Sequence, residues 1–411
     1  MVKIGLICWQ QGGGTNDYIL KKPMKPWKKG LKTVQKGTYK GKIPFEKALI
    51  AAMEYQYDDV EIMFINKFDE KKLKQNDINF LVSLNLLYAW EKNDKEYKRV
   101  YKLMDDPSIN FYPNLKEQMF LYNKGEYLEY YEEKGIPIAP TFIIKGDRNV
   151  RRIIQKVEDR QWKSFVLKPH YAYANCGIGK FDTEDPNVKN KVAKFLTKNK
   201  QFPGFVCQEV MEGFAKFWEV KTFWINGKYE YYVAMKASSA VFDADDISDD
   251  GDYGTISPSL LKQLKKMGQK VVDHFPKHLN THSNPPLYLR IDFGCCKGNS
   301  LDGKSYFLNE IEYAGCAIFA EESGLDNFAE LWAEAYYKKA KEYETKESGP
   351  KKSEKSTRVK RNLKRTIQRK KRQTRRITKR LTKRLTKRKL VPYSVRMRRR
   401  LRAGSRMNPS D

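Results

Sequence analysis

The chain has 411 residues, 40% apolar and 13% aromatic, which suits a globular protein of two or three domains. Its formal charge of +30 is unevenly spread: residues 346–411 hold 28 Lys plus Arg against 3 Asp plus Glu, or +25, which leaves +5 for residues 1–345. No window reaches the roughly 18 consecutive apolar residues of a membrane helix, and MVKIGLICW is too short for a secretory core. A membrane span and export are therefore not expected, and an intracellular location, cytoplasmic or nuclear, is.

Residues 1–115 read as a small α/β unit. KIGLIC predicts a strand, and Gly12–Gly14 a turn that could bring backbone N–H groups to an anion but lacks the G-x-G-x-x-G spacing. FEKALIAAMEYQ predicts a helix, and VEIMFI and INFLVSL two further strands. From residue 116, YNKGEYLEYYEEKGIPIAPTFII predicts a helix stopped by Gly135 and Pro137, then a strand ending near Ile144. RNVRRIIQKVEDRQ is helical, SFVLKP a short buried strand, and HYAYANCGIGKF a loop entering the next strand. A helix over about 184–199 leads to the strand FVCQEV.

Asn226-Gly227 between two β-rich runs is a hairpin signal, with Glu219, Lys221 and Phe223 on one face. Residues 238–256 are acidic and Gly-containing, as a surface loop would be. SLLKQLKKMGQKVVDHF predicts a helix, LYLRIDFG a strand, and 298–304 a turn into YFLNEIEYAG. The cysteines Cys8, Cys176, Cys207, Cys295, Cys296 and Cys316 lack C-x-x-C spacing and are expected to be reduced and mostly buried.

Side chains alternate along a strand, so Glu310 and Glu312 share a face; Leu308 should point with them and Ile311 away. If the last two strands pair, Asp292 can lie beside Glu310. Carboxylates gathered in a low-dielectric site raise one another's pKa, and a bound cation resolves the conflict. Hard oxygen donors suit Mg2+ (or Mn2+), which usually completes its shell with nucleotide phosphates. Phosphates also need protein cations, and Lys168 at the end of SFVLKP and Lys124 opening the helix before the GIP turn are candidates. No catalytic triad or zinc pattern competes.

Lys124 with GIPIAPT, VLKP with its Gly-containing loop, VCQEV followed by Glu219-Val220-Lys221, and RID with NEIE occur in this order. Together they resemble the ATP-grasp superfamily in its carboxylate–amine ligase branch, of glutathione synthetase or ribosomal-protein glutamate ligase type, over roughly residues 116–340. The resemblance implies an α+β ATP-grasp fold over 116–345, in which two α+β subdomains clasp ATP. An α/β domain over 1–115 would precede it and a basic extension over 346–411 would follow.

The same resemblance implies that Lys124 and Lys168 contact ATP phosphates or the adenine edge. Gln208, Glu209, Val210 and Met211 would line adenine, and Glu219 would sit near the ribose. Lys221 would lie near the γ-phosphate, where relatives often carry an Arg and its planar fork. Asp292, Glu310 and Glu312 match the metal-binding positions, and Arg290 would hold the acyl phosphate or the acid substrate. Two departures are visible. Glu312 stands where many relatives have Asn, and the loop after Lys168 has two glycines where relatives often have more.

The implied activity is ADP-forming ligation of a carboxylate to an amine, drawn from amino acids or peptides, through an acyl phosphate. A kinase on the same fold, acting on a hydroxyl or polyphosphate, and a degenerate ATP-grasp body serving as a nucleic-acid-associated binding protein are the alternatives. Residues 346–411 open with the linker-like KESGPKKSEKS and continue into RRITKRLTKRLTKRKL, a four-residue repeat. Such charge predicts salt-dependent association with nucleic acid or nuclear targeting, with an anionic membrane face or a solubilising role as alternatives.

Overall fold

In the computed structural model, which describes residues 1–9, 17–22, 24–84, 94–146, 148–171, 177–236, 253–279, 285–296, 306–313 and 316–347, the apolar run Val2–Trp9 forms β1. The turn at Gly12–Gly14, Cys176, most of 238–256, the 298–304 turn and the basic repeat lie outside the described residues. An excursion follows, in which β2 (Tyr18–Ile19) pairs antiparallel with β3 (Ile43–Pro44) around a 3-10 turn at Pro26–Lys28. Then come α1 (Phe45–Gln56), β4 (Val60–Ile65), the single turn α2 (Glu70–Leu73), β5 (Ile78–Leu84), α3 (Asp94–Met104) and β6 (Phe111–Tyr112). The sheet order is β4-β1-β5-β6, with every pair parallel. Parallel strands are commonly covered on both faces, which explains why KIGLIC and INFLVSL read as apolar runs rather than alternations.

Helix α5 (Lys124–Glu133) opens at Lys124 as expected, and a further helix, α4 (Leu115–Tyr122), precedes it. The chain breaks at Asn123, whose side chain accepts from the Glu126 N–H and caps α5. A second sheet contains β7 (Thr141–Lys145), β8 (Ser164–Pro169), β9 (Gly179–Asp182) and β10 (Gly204–Glu209) in antiparallel order β7-β10-β8-β9. Helices α6 (Val150–Glu158) and α7 (Val188–Lys198) pack on it around Val157, Phe165, Val192 and Phe205.

After the short α8 (Glu212–Lys216) comes the third sheet: β11 (Trp218–Ile225), β12 (Lys228–Lys236), β13 (Tyr253–Gly254), β14 (Tyr288–Cys295) and β15 (Tyr306–Glu312). Its order is β13-β12-β11-β14-β15, antiparallel throughout, with α9 (Pro258–Asp273) against β11, β12 and β14. The expected hairpin joins β11 to β12. Asn226 at φ +48° and Gly227 at φ +76° are both left-handed, as a two-residue turn of this twist requires.

Helix α10 (Phe328–Glu347) returns to pack on α1, with Phe45 edge-on to Phe328 and Trp332 at 5.7 and 5.9 Å between ring centres. One hydrophobic core runs from the first sheet through α4 and α5 to the third sheet, while the second sheet keeps its own. Among the described residues no helix is long and apolar enough to cross a membrane, and Cys8, Cys207, Cys295 and Cys316 are free thiols.

Candidate active site

Register on the third sheet gathers most of the charged residues singled out in the sequence. Lys221 on β11 lies opposite Asp292 on β14; across to β15, Asp292 lies opposite Glu310 and Arg290 opposite Glu312. One face therefore carries Lys221, Arg290, Asp292, Glu310 and Glu312.

The strand carrying the two glutamates is not regular. A bulge sets Leu308, rather than Asn309, opposite Phe293. Leu308 thus falls on the face of Ile311, opposite to the one strict alternation assigns it, fully buried and with its N–H donating to the Pro137 carbonyl at 2.8 Å. The extra residue turns Asn309 into the site, where its amide donates to Glu219 Oε1 at 3.0 Å and accepts from Lys168 Nζ at 3.4 Å. Asn309 escaped the sequence reading, since alternation alone points it away.

The charges are paired, with one exception. Lys221 Nζ lies 2.8 Å from Glu219 and 2.9 Å from Asp292. Arg290 grips both oxygens of Asp292 at 2.9 Å, reaches Glu312 at 2.6 Å, and donates from Nη1 to the Ala317 carbonyl at 3.2 Å. Lys124 pairs with Glu310. Lys168 makes no ion pair among the described residues and has only the long contact to Asn309.

Burial and these partners set the protonation states. Burial would raise the Asp292 carboxyl, but Arg290 and Lys221 outweigh it and hold the group below the usual range; Lys124 does the same for Glu310. Burial pushes Glu312 up to about 7, with Glu310 and Asp292 adding to the rise and Arg290 opposing it. Burial pushes Lys168 down to about 8; Lys124 adds to this and Glu310 opposes it.

The two lysines from outside the third sheet are brought together by His170. The Lys124 N–H donates to the His170 carbonyl at 3.1 Å, and the His170 N–H to the Gly204 carbonyl at 3.0 Å. The imidazole fills the space between Gly125 and Gly204, where an added Cβ would lie 2.8 and 2.9 Å from ring atoms. The start of α5 is thereby locked to the β8 and β10 end of the second sheet. The sequence reading gave His170 no role.

The strand end expected to line adenine joins the two sheets. Gln208 donates to Thr141 Oγ1 at 2.9 Å, the Glu209 N–H to the Pro140 carbonyl and the Val210 N–H to the Ser164 carbonyl, both at 3.0 Å. Met211 packs with Ala139, Cys296 and Phe307 at the junction.

The N-terminal layer also reaches this site, through a residue the sequence reading passed over. The buried Asp17 carboxylate accepts from the N–H groups of Ile318 and Phe319 at 3.0 and 2.9 Å. The Tyr231 hydroxyl donates to the Ile318 carbonyl at 2.7 Å. The segment whose Ala317 carbonyl meets Arg290 is thus held from three sides.

Oxygen donors of the Asp292, Glu310 and Glu312 kind fit a hard divalent cation by their chemistry and their adjacency. Among the described residues, however, no three or more His, Cys, Asp or Glu side chains are gathered as ligands of one ion. Each of these carboxylates instead meets a protein cation.

No family model and no curated protein sequence matches the chain. Solved structures do. D-cycloserine synthetase DcsG matches with a TM-score of 0.58 at 11% identity, covering 82% of this chain and 99% of that one. D-alanine–D-alanine ligase from Bacillus anthracis, complexed with ATP, matches with a TM-score of 0.51 at 12% identity, covering 84% and 100%. D-alanyl-alanine synthetase A from Vibrio cholerae gives 0.51 at 12%, covering 82% and 98%. At such identities the likeness is one of fold: the chain has the ATP-grasp fold that its motifs suggested.

Proposed function

We propose that the chain is an ADP-forming ligase that joins a carboxylate to an amine through an acyl phosphate. The observation that carries this reading is Lys168, a cation without an ion pair among the described residues, beside charges that are otherwise matched. A phosphate oxygen is the partner that would complete it.

In this reading ATP lies between the second and third sheets, adenine beside Gln208, Glu209, Val210 and Met211, ribose near Glu219, and phosphates toward Lys124, Lys168 and Lys221. The acid's carboxylate oxygen attacks the γ-phosphorus, the bond to the bridging oxygen of ADP breaks, and an acyl phosphate forms. The amine then attacks the acyl carbon, phosphate leaves, and the amine gives up a proton. Phosphoryl transfer asks mainly for positioning and positive charge around the equatorial oxygens, which Lys168 and Lys221 would supply. Arg290, fixed by Asp292 and Glu312, would hold the acid end. Asp292, Glu310 and Glu312 would hold Mg2+ or Mn2+, which when bound would draw charge off the phosphates.

The test is a screen for ADP release over carboxylate and amine pairs with Mg2+. Release that requires both partners supports the ligase; release with a hydroxyl acceptor and no amine replaces it with the kinase. We also propose that residues 346–411 associate with nucleic acid and direct the chain to the nucleus, on their excess of 28 basic over 3 acidic residues. An RNA affinity that does not fall with added salt would overturn this.

A further inference from the structure

The excess charge of the folded body is confined to one short piece of it. Residues 20–42 contain nine Lys, no Arg and no Asp or Glu; the remainder of residues 1–345 holds 43 basic against 47 acidic residues, and so is slightly acidic.

This piece is the excursion closed by β2 and β3, and it is anchored. Trp27 is buried and its Nε1 donates to Glu330 at 2.9 Å, beside Lys25 at 2.7 Å from the same oxygen. Lys42 reaches Glu321 at 2.5 Å, and Val34 exchanges backbone hydrogen bonds with Lys42 and Gly41, both at 2.9 Å. On this fixed frame the side chains of Lys22, Lys29, Lys32, Lys36 and Lys40 are exposed, and their ammonium groups form no hydrogen bond or ion pair among the described residues. Leu20 and Met24, each 56% exposed, lie among them. Like charges held in ordered chain repel one another, and apolar side chains left in water lose burial; a partner that is both anionic and apolar removes both costs.

The excursion begins directly after Asp17, which holds Ile318 and Phe319, and it is tied to Glu321 two residues further on. It therefore borders the segment whose Ala317 carbonyl meets Arg290. We propose that it is the docking surface for an acidic polypeptide presenting the acid substrate to that end of the site, an inference that rests on the ligase reading. Nucleic acid fits less well. The piece has no Arg fork for phosphate, and its aromatic residues are engaged, Trp27 by burial and Tyr39 by stacking on Tyr18 at 4.0 Å, so no exposed ring offers bases a platform. The tail, with 16 Arg, has the opposite make-up.

Lysine acetylation footprinting of the full chain, read by mass spectrometry, tests this. A short peptide of Glu and Leu should protect Lys22, Lys29, Lys32, Lys36 and Lys40, while an RNA oligomer should protect only lysines of 346–411. Changing those five to Glu should weaken the peptide roughly tenfold, since each exposed pair contributes little alone, and leave ATP affinity unchanged. Peptide protection confined to the tail, or RNA protection of the five, overturns the proposal; if the fivefold variant does not fold, the footprint of the unaltered chain decides. Absence of ATP binding in the same preparation would instead count against the ligase reading.

Discussion

The second and third sheets bring opposite kinds of charge to the candidate site. On the third, the charged side chains at the site are answered: Lys221 by Glu219 and Asp292, and Arg290 by Asp292, Glu312 and a carbonyl. From the second comes Lys168, with no ion pair among the described residues and a proton affinity lowered by burial. Matched charges hold a shape; an unmatched buried charge is kept at a cost that only a ligand removes. Removing a member of the first group should damage folding, and removing Lys168 should damage binding.

The largest effect belongs to Asp292→Ala. It takes the shared carboxylate from the buried Lys221 and Arg290, leaving them only Glu219 and Glu312, and should lower stability by about 3–5 kcal/mol, measured by denaturant unfolding. A loss no greater than that of an exposed carboxylate would erase the contrast between the sheets. Gly125→Ala comes next. The new methyl meets the His170 ring and should cost about 1–3 kcal/mol, and His170→Ala in the same chain should restore part of it. Without such rescue, His170 is not the lock between α5 and the second sheet.

The pH dependences are smaller and opposite in sign. Lys168, at about 8 when folded and 10.5 in the open chain, binds fewer protons folded than unfolded between those values. It therefore makes stability rise with pH across that window, while ATP affinity should fall above about 8 as its charge is lost. Lys168→Arg should hold ATP affinity level there in a calorimetric titration. Glu312, at about 7 folded against 4.5, makes stability fall as pH rises from 4.5 to 7. Glu312→Gln should flatten that slope in thermal melts, and an unchanged slope would remove Glu312 from the buried network.

Much of this was legible in residue order. The apolar runs of β1, β4 and β5, the Asn226-Gly227 hairpin and the placement of Glu310 with Glu312 follow from local rules that the structure keeps. What was not legible depends on distant chain. The bulge at Leu308–Asn309 arises where β15 meets β14, so alternation could not foresee Asn309 in the site. Asp17 finds its partners about 300 residues away at Ile318 and Phe319, and α10 packs on α1 across the whole body. The start of α5 at Lys124 was legible, but the helix α4 before it and the capping by Asn123 became clear only with the fold.

Titration of ATP with Mg2+ into the wild type and Lys168→Met at neutral pH, beside their unfolding midpoints, tests the central claim most directly. The account predicts affinity lower by tenfold or more in the variant, as for the loss of a charge-assisted hydrogen bond of about 1.5–3 kcal/mol, with the midpoint unchanged or raised. Equal ATP affinity in the two proteins, or a variant that fails to fold while still binding in its folded fraction, would contradict it.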